Sequence, residues 1–288
     1  MIIDERARRL RGIALMILGA SLFAGVDGVS KLLADTQSVG QIVWARYALA
    51  LPVLILTTRP ADWRTLFTTA RPALQILRGV TPLAISGAMV VAVRYLPLAE
   101  ATVILFAGPF LIVALSKPFL GEPVRPASWI GVAVGFAAVL IVARPGFGTL
   151  SQYMVFPLAA AVFFALYQLI TRRLGAAGER PNTTLAWTLA MGGLVATPVA
   201  IFTWNPLTAW GWLLMVTLGT VFGLAQSLLI RAFTYAPASL LAPFSYAQVI
   251  AATIFGIIVF GAIPDAWTFA GIALIIAAGM YVMRSRAA

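Results

Sequence analysis

Residues 94–117 read RYLPLAEATVILFAGPFLIVALSK. Between Pro97 and Pro118 lie twenty residues whose only charges are Glu100, in the first turn, and Lys117, at the end. At 1.5 Å per residue, such a stretch crosses the ~30 Å hydrocarbon layer of a bilayer as one helix. An echo follows 140 residues later: Tyr95 matches Tyr235, Pro97 matches Pro237, Ala107 matches Ala247 and Gly121 matches Gly261. One membrane span and its distant copy set the frame for the rest of the chain.

Working outward, ten apolar segments of spanning length can be read, at 12–33, 39–58, 72–94, 98–117, 128–144, 153–174, 183–203, 208–232, 238–260 and 266–284. Proline and charged residues punctuate them. The longest interior connection, Arg59 to Arg71, is only thirteen residues, too short for a soluble domain. Composition agrees: 61% of the chain is hydrophobic and 10% charged, with a mean hydropathy of +0.98. A soluble domain carries about 25% charged residues and keeps a large water-facing surface. The expected fold is an all-α membrane protein.

The N-terminus imitates a signal peptide, with Arg6, Arg8, Arg9 and Arg11 ahead of an apolar run. That run continues to Leu33 without a small-x-small cleavage site, so it reads as an uncleaved first span. With the N-terminus placed in the cytoplasm, fifteen Lys and Arg fall in cytoplasmic segments and three, Lys31, Arg94 and Arg144, outside. This positive-inside bias predicts a multi-pass protein of the inner (plasma) membrane with both termini cytoplasmic. The net charge of +11 is then topogenic, and no nucleic-acid partner is expected.

The 140-residue offset also pairs Phe23 with Phe163, Gly79 with Gly219, Ala92 with Ala232, Gly131 with Gly271 and Arg144 with Arg284. The chain therefore divides into 1–147 and 148–288, five spans each. Five is odd, so the second half enters the bilayer from the opposite side. The expectation is ten transmembrane helices as two inverted five-helix repeats, an arrangement suited to alternating access around a midplane site.

Several stretches together resemble the EamA family of the drug/metabolite transporter superfamily. They are Arg94-Tyr-Leu-Pro-Leu-Ala-Glu-Ala101, Gly108-Pro109, Phe119-Leu-Gly-Glu122, Trp129-Ile-Gly131 to Gly135, Phe23-Ala-Gly-Val-Asp-Gly-Val-Ser-Lys31 and Tyr235-Ala-Pro-Ala-Ser239. The likeness covers essentially the whole chain, and amino-acid exporters of the YddG type look nearest. It implies a basket of helices around a central cavity, with the fifth and tenth spans peripheral, and a carrier that needs no ATP. The second half departs from the pattern, with Ala262 where the first has Glu122.

The chemistry available is narrow. The chain has no Cys and no His, which removes disulfides, thiolates, His bases and the usual zinc ligands. No Walker motif is present, and Gly146-Phe147-Gly148 makes a poor phosphate cradle. No cofactor or metal is expected, and no acidic pair stands ready for acid–base work, so an enzyme is disfavoured. A pore would want polar stripes along several helices, and few appear.

The candidate cavity residues are Asp27, Arg78, Phe106, Tyr167, Gln226 and Tyr246, with Gln168, Ser227 and Thr102 nearby in sequence. Asp27 is an acid inside the first span, expected to pair with Lys31 one turn on or with Arg46. Arg46 and Arg78 read as snorkelling cations near opposite membrane faces, with anion recognition as the other role for Arg78. Lys31, Arg46, Arg94 and Glu100 form the candidate gate or ion-pair set. Pro82, Pro109, Pro198 and Pro243 mark bends. Trp204, Trp210 and Trp212 read as an interfacial belt. The expected partners are a small-molecule solute and the lipid bilayer. A monomer is expected, with Gly131-x-x-x-Gly135 as the surface for any dimer. The substrates that fit are amino acids, aromatic or neutral, and related metabolites. The alternative is a nucleoside-like, flavin or S-adenosylmethionine-like solute.

Overall fold

The computed structural model describes residues 2–120, 126–143, 152–236 and 238–287. Glu122, Arg125, Arg144, Pro237 and the Gly146–Gly148 stretch lie outside the described residues. All regular structure in the described residues is helical: α1 (Ile2–Ala34), α2 (Val39–Ala48), α3 (Ala50–Thr57), α4 (Pro72–Tyr95), α5 (Leu98–Leu105), α6 (Gly108–Leu120), α7 (Pro126–Ala143), α8 (Val155–Ala176), α9 (Pro181–Phe202), α10 (Ala209–Tyr235), α11 (Ala238–Leu241), α12 (Ala247–Phe260) and α13 (Ala266–Ala287), with short 3₁₀ turns. Seven stretches are long and apolar enough to cross a membrane, and three shorter apolar helices lie at Trp129–Val142, Phe244–Phe260 and Ala266–Tyr281. The outward surface is apolar, as Phe202 at 88% and Ile258 at 77% exposure show. Water would penalise that face and lipid accepts it.

Local chemistry sets the helix ends. Ser38 and Gln41 form a capping box at the start of α2, and Thr208 caps α10 by accepting from the Gly211 amide. Pro72 and Pro181 open α4 and α9, where their missing N–H costs nothing. Gly261 closes α12 in the left-handed region at φ 62°, a conformation glycine adopts without strain.

The four prolines behave in two ways. Pro82 and Pro198 stay inside continuous helices. At the other two the helix breaks. The chain leaves helix α5 at Phe106 and re-enters at Gly108-Pro109, and it passes through a 3₁₀ turn at Ala242–Tyr246 before α12. These breaks fall at one repeat position, since 106 and 246 differ by the 140-residue offset.

Packing is reciprocal in the same sense. Helix α1 lies along α10, and α8 lies along α4; α4 crosses α9, and α10 crosses α2 and α3. Gly79 of α4 sits so close to α9 that a Cβ would come within 2.8 Å of Met191 Cβ. Its repeat mate Gly219 sits equally tightly on α2, where a Cβ would lie 2.7 Å from the Ala45 carbonyl. Gly135 faces Phe110 of the same chain, so its close packing is intramolecular. Four apolar clusters result. The first joins α1, α2, α3, α4, α9 and α10; the second joins α5, α6, α7, α12 and α13, with Ala161 of α8; two smaller ones join α1 to α4, α5, α8 and α12, and α1 to α10 and α11.

Candidate functional site

Helix α4 carries Gln75, Arg78, Pro82 and Ser86 at spacings of three and four, which places them on one face. Each makes a polar contact with another helix or loop, so this face is a polar column through an apolar bundle. At one end of the column, Arg46 Nη2 donates to Asp27 Oδ1 at 3.1 Å and to Ser30 Oγ at 2.8 Å. Its Nη1 reaches Ser86 Oγ at 3.4 Å, and the guanidinium lies over the Phe222 ring, 5.7 Å from its centroid. Tyr47 Oη lies 2.7 Å from Ser86 Oγ and donates to the Pro82 carbonyl at 2.9 Å.

Arg78 lies further along the face. Its Nε donates to Thr171 Oγ1 at 2.7 Å, Nη1 to the Thr184 carbonyl at 2.9 Å and to Thr188 Oγ1, and Nη2 to Tyr167 Oη at 2.5 Å. The guanidinium also stacks on Tyr167, 4.3 Å from the ring centroid. Gln75 ends the column, donating to Glu179 Oε2 at 3.1 Å.

Sequence placed Arg46 and Arg78 as snorkelling cations. Instead they are buried, at 5% and 6% exposure: the Asp27 carboxylate and serine hydroxyls hold Arg46, whose Nε has no partner among the described residues, and hydroxyls and a carbonyl of α8 and α9 hold Arg78. Of the two partners considered for Asp27, the structure uses Arg46. Lys31 turns away and donates to the Val93 and Leu96 carbonyls at 2.5 and 2.7 Å, capping α4, with its ammonium 5.5 Å from the Phe260 centroid. Arg94 is exposed and sits 5.7 Å from the Tyr95 centroid. Glu100, half-buried, is among the carboxylates acting on the Lys31 charge.

Phe106 and Tyr246 meet, with ring centroids 5.4 Å apart, but they do so in the second apolar cluster. That cluster is distinct from the one that includes Tyr47 and Phe222 around the polar column. Gln226 and Gln168 are half-buried in mid-helix. Ser227 bonds with Thr57 Oγ1 at 3.2 Å, and Thr102 bonds back to the Leu98 carbonyl. Trp204 stacks edgewise on Trp44, while Trp210 is 63% exposed. Among the described residues no group of acids could hold a metal ion.

Two further bonded clusters escaped the sequence reading. In one, Gln41 Nε2 donates to the Asn205 carbonyl, the Asn205 amide donates back to Gln41 Oε1, both at 2.9 Å, and Ser38 Oγ lies 2.9 Å from Thr203 Oγ1. In the other, Thr183 Oγ1 donates to the Thr65 carbonyl at 3.1 Å, Arg180 to Thr65 Oγ1 at 3.2 Å, and Thr69 Oγ1 to Glu179 Oε1 at 2.7 Å. Positions 65 and 205 are again one offset apart. The signal available was polar residues facing each other across loops of opposite halves, which becomes legible only once the repeat is used as a ruler.

Comparison with known proteins gives a consistent picture. The profile of the EamA-like transporter family matches residues 10–144 and 152–284. The chain is 29% identical to the pseudopaline exporter CntI of Pseudomonas aeruginosa, covering 96% of each. It is 27% identical to a riboflavin transporter of Brucella anthropi, covering 93% of this chain and 97% of the relative. It is 26% identical to an S-adenosylmethionine uptake transporter of Rickettsia bellii, covering 95% and 94%. One crystal structure is similar in fold, with a TM-score of 0.65 at 20% identity over 96% of this chain and 98% of that one.

Proposed function

This chain belongs to the EamA-like transporter family, and from that premise we propose an alternating-access carrier that exports amino acids, aromatic or neutral, and related metabolites. The protein is a multi-pass membrane transporter and not an enzyme. In the proposed reading it has ten spans, as five-helix repeats 1–147 and 148–288 of opposite orientation, and both termini are cytoplasmic. It needs no nucleotide, and its transport is facilitative or driven by an ion gradient.

The observation that carries the mechanism is the pair of loop clusters centred on Thr65 and Asn205. Each joins a loop of one half to a loop of the other, and the repeat offset relates them. In the proposed topology the Asn205 cluster closes the outer face and the Thr65 cluster the inner face. A carrier built from inverted repeats opens one while keeping the other. The two breaks at Phe106 and at Ala242–Tyr246 supply hinges at matching depth in both halves.

The substrate class rests on the polar column. An amphoteric solute needs anchors for an ammonium and a carboxylate, and apolar volume for its side chain. Arg78, Tyr167, Gln226 and the Asp27–Arg46 pair are the proposed anchors, with Phe106 and Tyr246 as apolar wall or hinge packing. Lys31, Arg94 and Glu100 are the proposed outer gate. A second reading, a flavin-like or S-adenosylmethionine-like solute, draws support from the names of two relatives. Counterflow in proteoliposomes with a panel of amino acids, nucleosides, riboflavin and S-adenosylmethionine, with and without a proton gradient, separates the two. Amino-acid exchange is the expected result. Exchange confined to riboflavin or S-adenosylmethionine would overturn the first reading.

A further inference from the structure

Arg78 holds a charge that no carboxylate neutralises among the described residues. Its four hydrogen bonds all go to neutral oxygens, and no carboxylate lies within 4 Å of it among the described residues. An isolated guanidinium is expensive to bury. Of the other two intramembrane cations, Arg46 has a carboxylate partner in Asp27, and Lys31, which caps the carbonyls that end α4, is only half-buried.

A guanidinium has five N–H groups. Four of those on Arg78 are taken, and one hydrogen on Nη2 has no acceptor among the described residues. Tyr167 Oη accepts from the same Nη2 at 2.5 Å, so its own proton is free to point elsewhere, and no acceptor receives it among the described residues. Two donors therefore stand side by side, one backed by a full positive charge. Tyr167 is half-buried while Arg78 is buried, so the phenol marks the approachable edge of the pair.

We propose that Arg78 and Tyr167 form a cradle for the carboxylate of the transported solute, with the free Nη2–H on one oxygen and the Tyr167 O–H on the other. This rests on the amino-acid reading above and narrows it to solutes with an unblocked carboxylate. A monoanion brings the site to neutrality. A phosphate dianion would leave a net negative charge in a low-dielectric interior, so the charge balance selects a carboxylate. Bonds to α8 and α9 hold Arg78 in place, which pre-organises its remaining Nη2–H beside the Tyr167 hydroxyl. With the carboxylate bound the guanidinium is paired, and without it that charge stands alone, so occlusion around bound solute is favoured over occlusion around none.

The test uses counterflow of labelled L-phenylalanine and, separately, of labelled N-acetyl-L-phenylalanine in proteoliposomes, with four competitors: L-phenylalanine, N-acetyl-L-phenylalanine, L-phenylalaninamide and phenyl phosphate. Wild type, Tyr167→Phe, Arg78→Lys and Arg78→Gln are compared at matched membrane levels. Wild type should accept both carboxylates over the amide and the phosphate. Tyr167→Phe keeps the ring and the stacking but loses the O–H, and should cut the acid-over-amide preference by roughly tenfold. Arg78→Gln should remove a preference of about ten- to a hundredfold, the range of a hydrogen bond to a charged group. Should Arg78→Gln fail to assemble, Tyr167→Phe and Arg78→Lys decide. Counterflow of N-acetyl-phenylalanine without counterflow of phenylalanine would leave the cradle standing and defeat the amino-acid reading. Phenylalanine exchange with an unaltered acid-over-amide ratio in Tyr167→Phe and Arg78→Lys would overturn the cradle alone. Stronger competition by phenyl phosphate overturns the carboxylate assignment, and no counterflow of either carboxylate overturns both readings.

Discussion

The guanidinium of Arg46 and the carboxylate of Asp27 pair at 3.1 Å, both at 5% exposure, joining α2 to α1 inside the bundle. Removing one partner leaves a buried charge without an answer, at a cost of about 3–5 kcal/mol, whereas removing both leaves apolar neighbours that can close in. We predict that Asp27→Ala and Arg46→Ala each lower the melting temperature and the amount of folded protein. The Asp27→Leu/Arg46→Met double variant should recover most of the loss. Thermal unfolding in detergent, followed by size-exclusion monodispersity, reads this out. Simple addition of the two single losses would mean the pair is not coupled.

Lys31 offers a contrast one turn along the same helix. Its ammonium caps the carbonyls of Val93 and Leu96, where a cation also meets the negative end of the α4 dipole. Lys31→Met is predicted to cost about 1–2 kcal/mol and to fray the end of α4. Because the sites share no partner, its effect should add to that of Asp27→Ala within a few tenths of a kcal/mol. A double-mutant cycle with strong coupling would contradict this separation.

Much of this architecture was legible before any coordinates. Apolar runs located the helices, because lipid demands about twenty apolar residues per span. The offset paired Gly79 with Gly219, which both make close helix contacts, but it did not foretell the breaks after Phe106 and before Ala247. The fate of Arg78 was not legible, and that of Arg46 only as one of two candidate partners for Asp27. An arginine a few residues inside a span can reach water or find buried acceptors, and the sequence does not say which. Here the acceptors are Ser30, Ser86, Thr171, Thr184 and Thr188, on helices whose mutual placement no local pattern encodes. The four-residue spacing of Thr184 and Thr188 was a weak hint. The polar face Gln75–Arg78–Pro82–Ser86 was a stronger one, and a helical wheel of α4 would have found it.

The loop clusters can be locked. The chain has no native cysteine, so introduced pairs report cleanly. Ser38 Oγ and Thr203 Oγ1 lie 2.9 Å apart, close enough for a Ser38→Cys/Thr203→Cys pair to bridge. Thr69→Cys/Glu179→Cys needs a short bis-thiol reagent, because Glu179 reaches Thr69 through a long side chain. Each cross-link alone should arrest net transport, and reduction should restore it. Full-rate transport in either cross-linked form would rule out that cluster as a gate.

Orientation has its own test. If the basic asymmetry directs insertion, a periplasmic reporter fused after residue 288 is silent and a cytoplasmic one active. Adding four lysines to the 35–38 loop, which carries no Lys or Arg now, should disturb insertion. The reverse reporter pattern in the unaltered protein would invert every assignment of inner and outer face made above.

Phe106 and Tyr246 pose the sharpest choice between packing and recognition. Their rings meet at 5.4 Å, and they occupy equivalent positions in the two halves. Phe106 is 8% and Tyr246 6% exposed, and the phenol of Tyr246 fills the space beside Gly279, where even a Cβ would collide with it. If they are hinge packing, truncation opens a cavity, and Phe106→Ala should cost about 3–5 kcal/mol of stability. Tyr246→Phe should then be nearly neutral, and Gly279→Ala destabilising, because α13 would have to move away from the phenol. If the rings instead contact solute, conservative changes such as Phe106→Leu and Tyr246→Phe should alter which amino acids compete in counterflow while leaving the melting temperature in place. The enclosed position of Tyr246 favours packing. We therefore expect large stability losses on truncation and an unchanged competitor ranking in the conservative variants. A shifted ranking at unchanged stability would place both rings in the solute path and extend that path from the polar column into the second cluster.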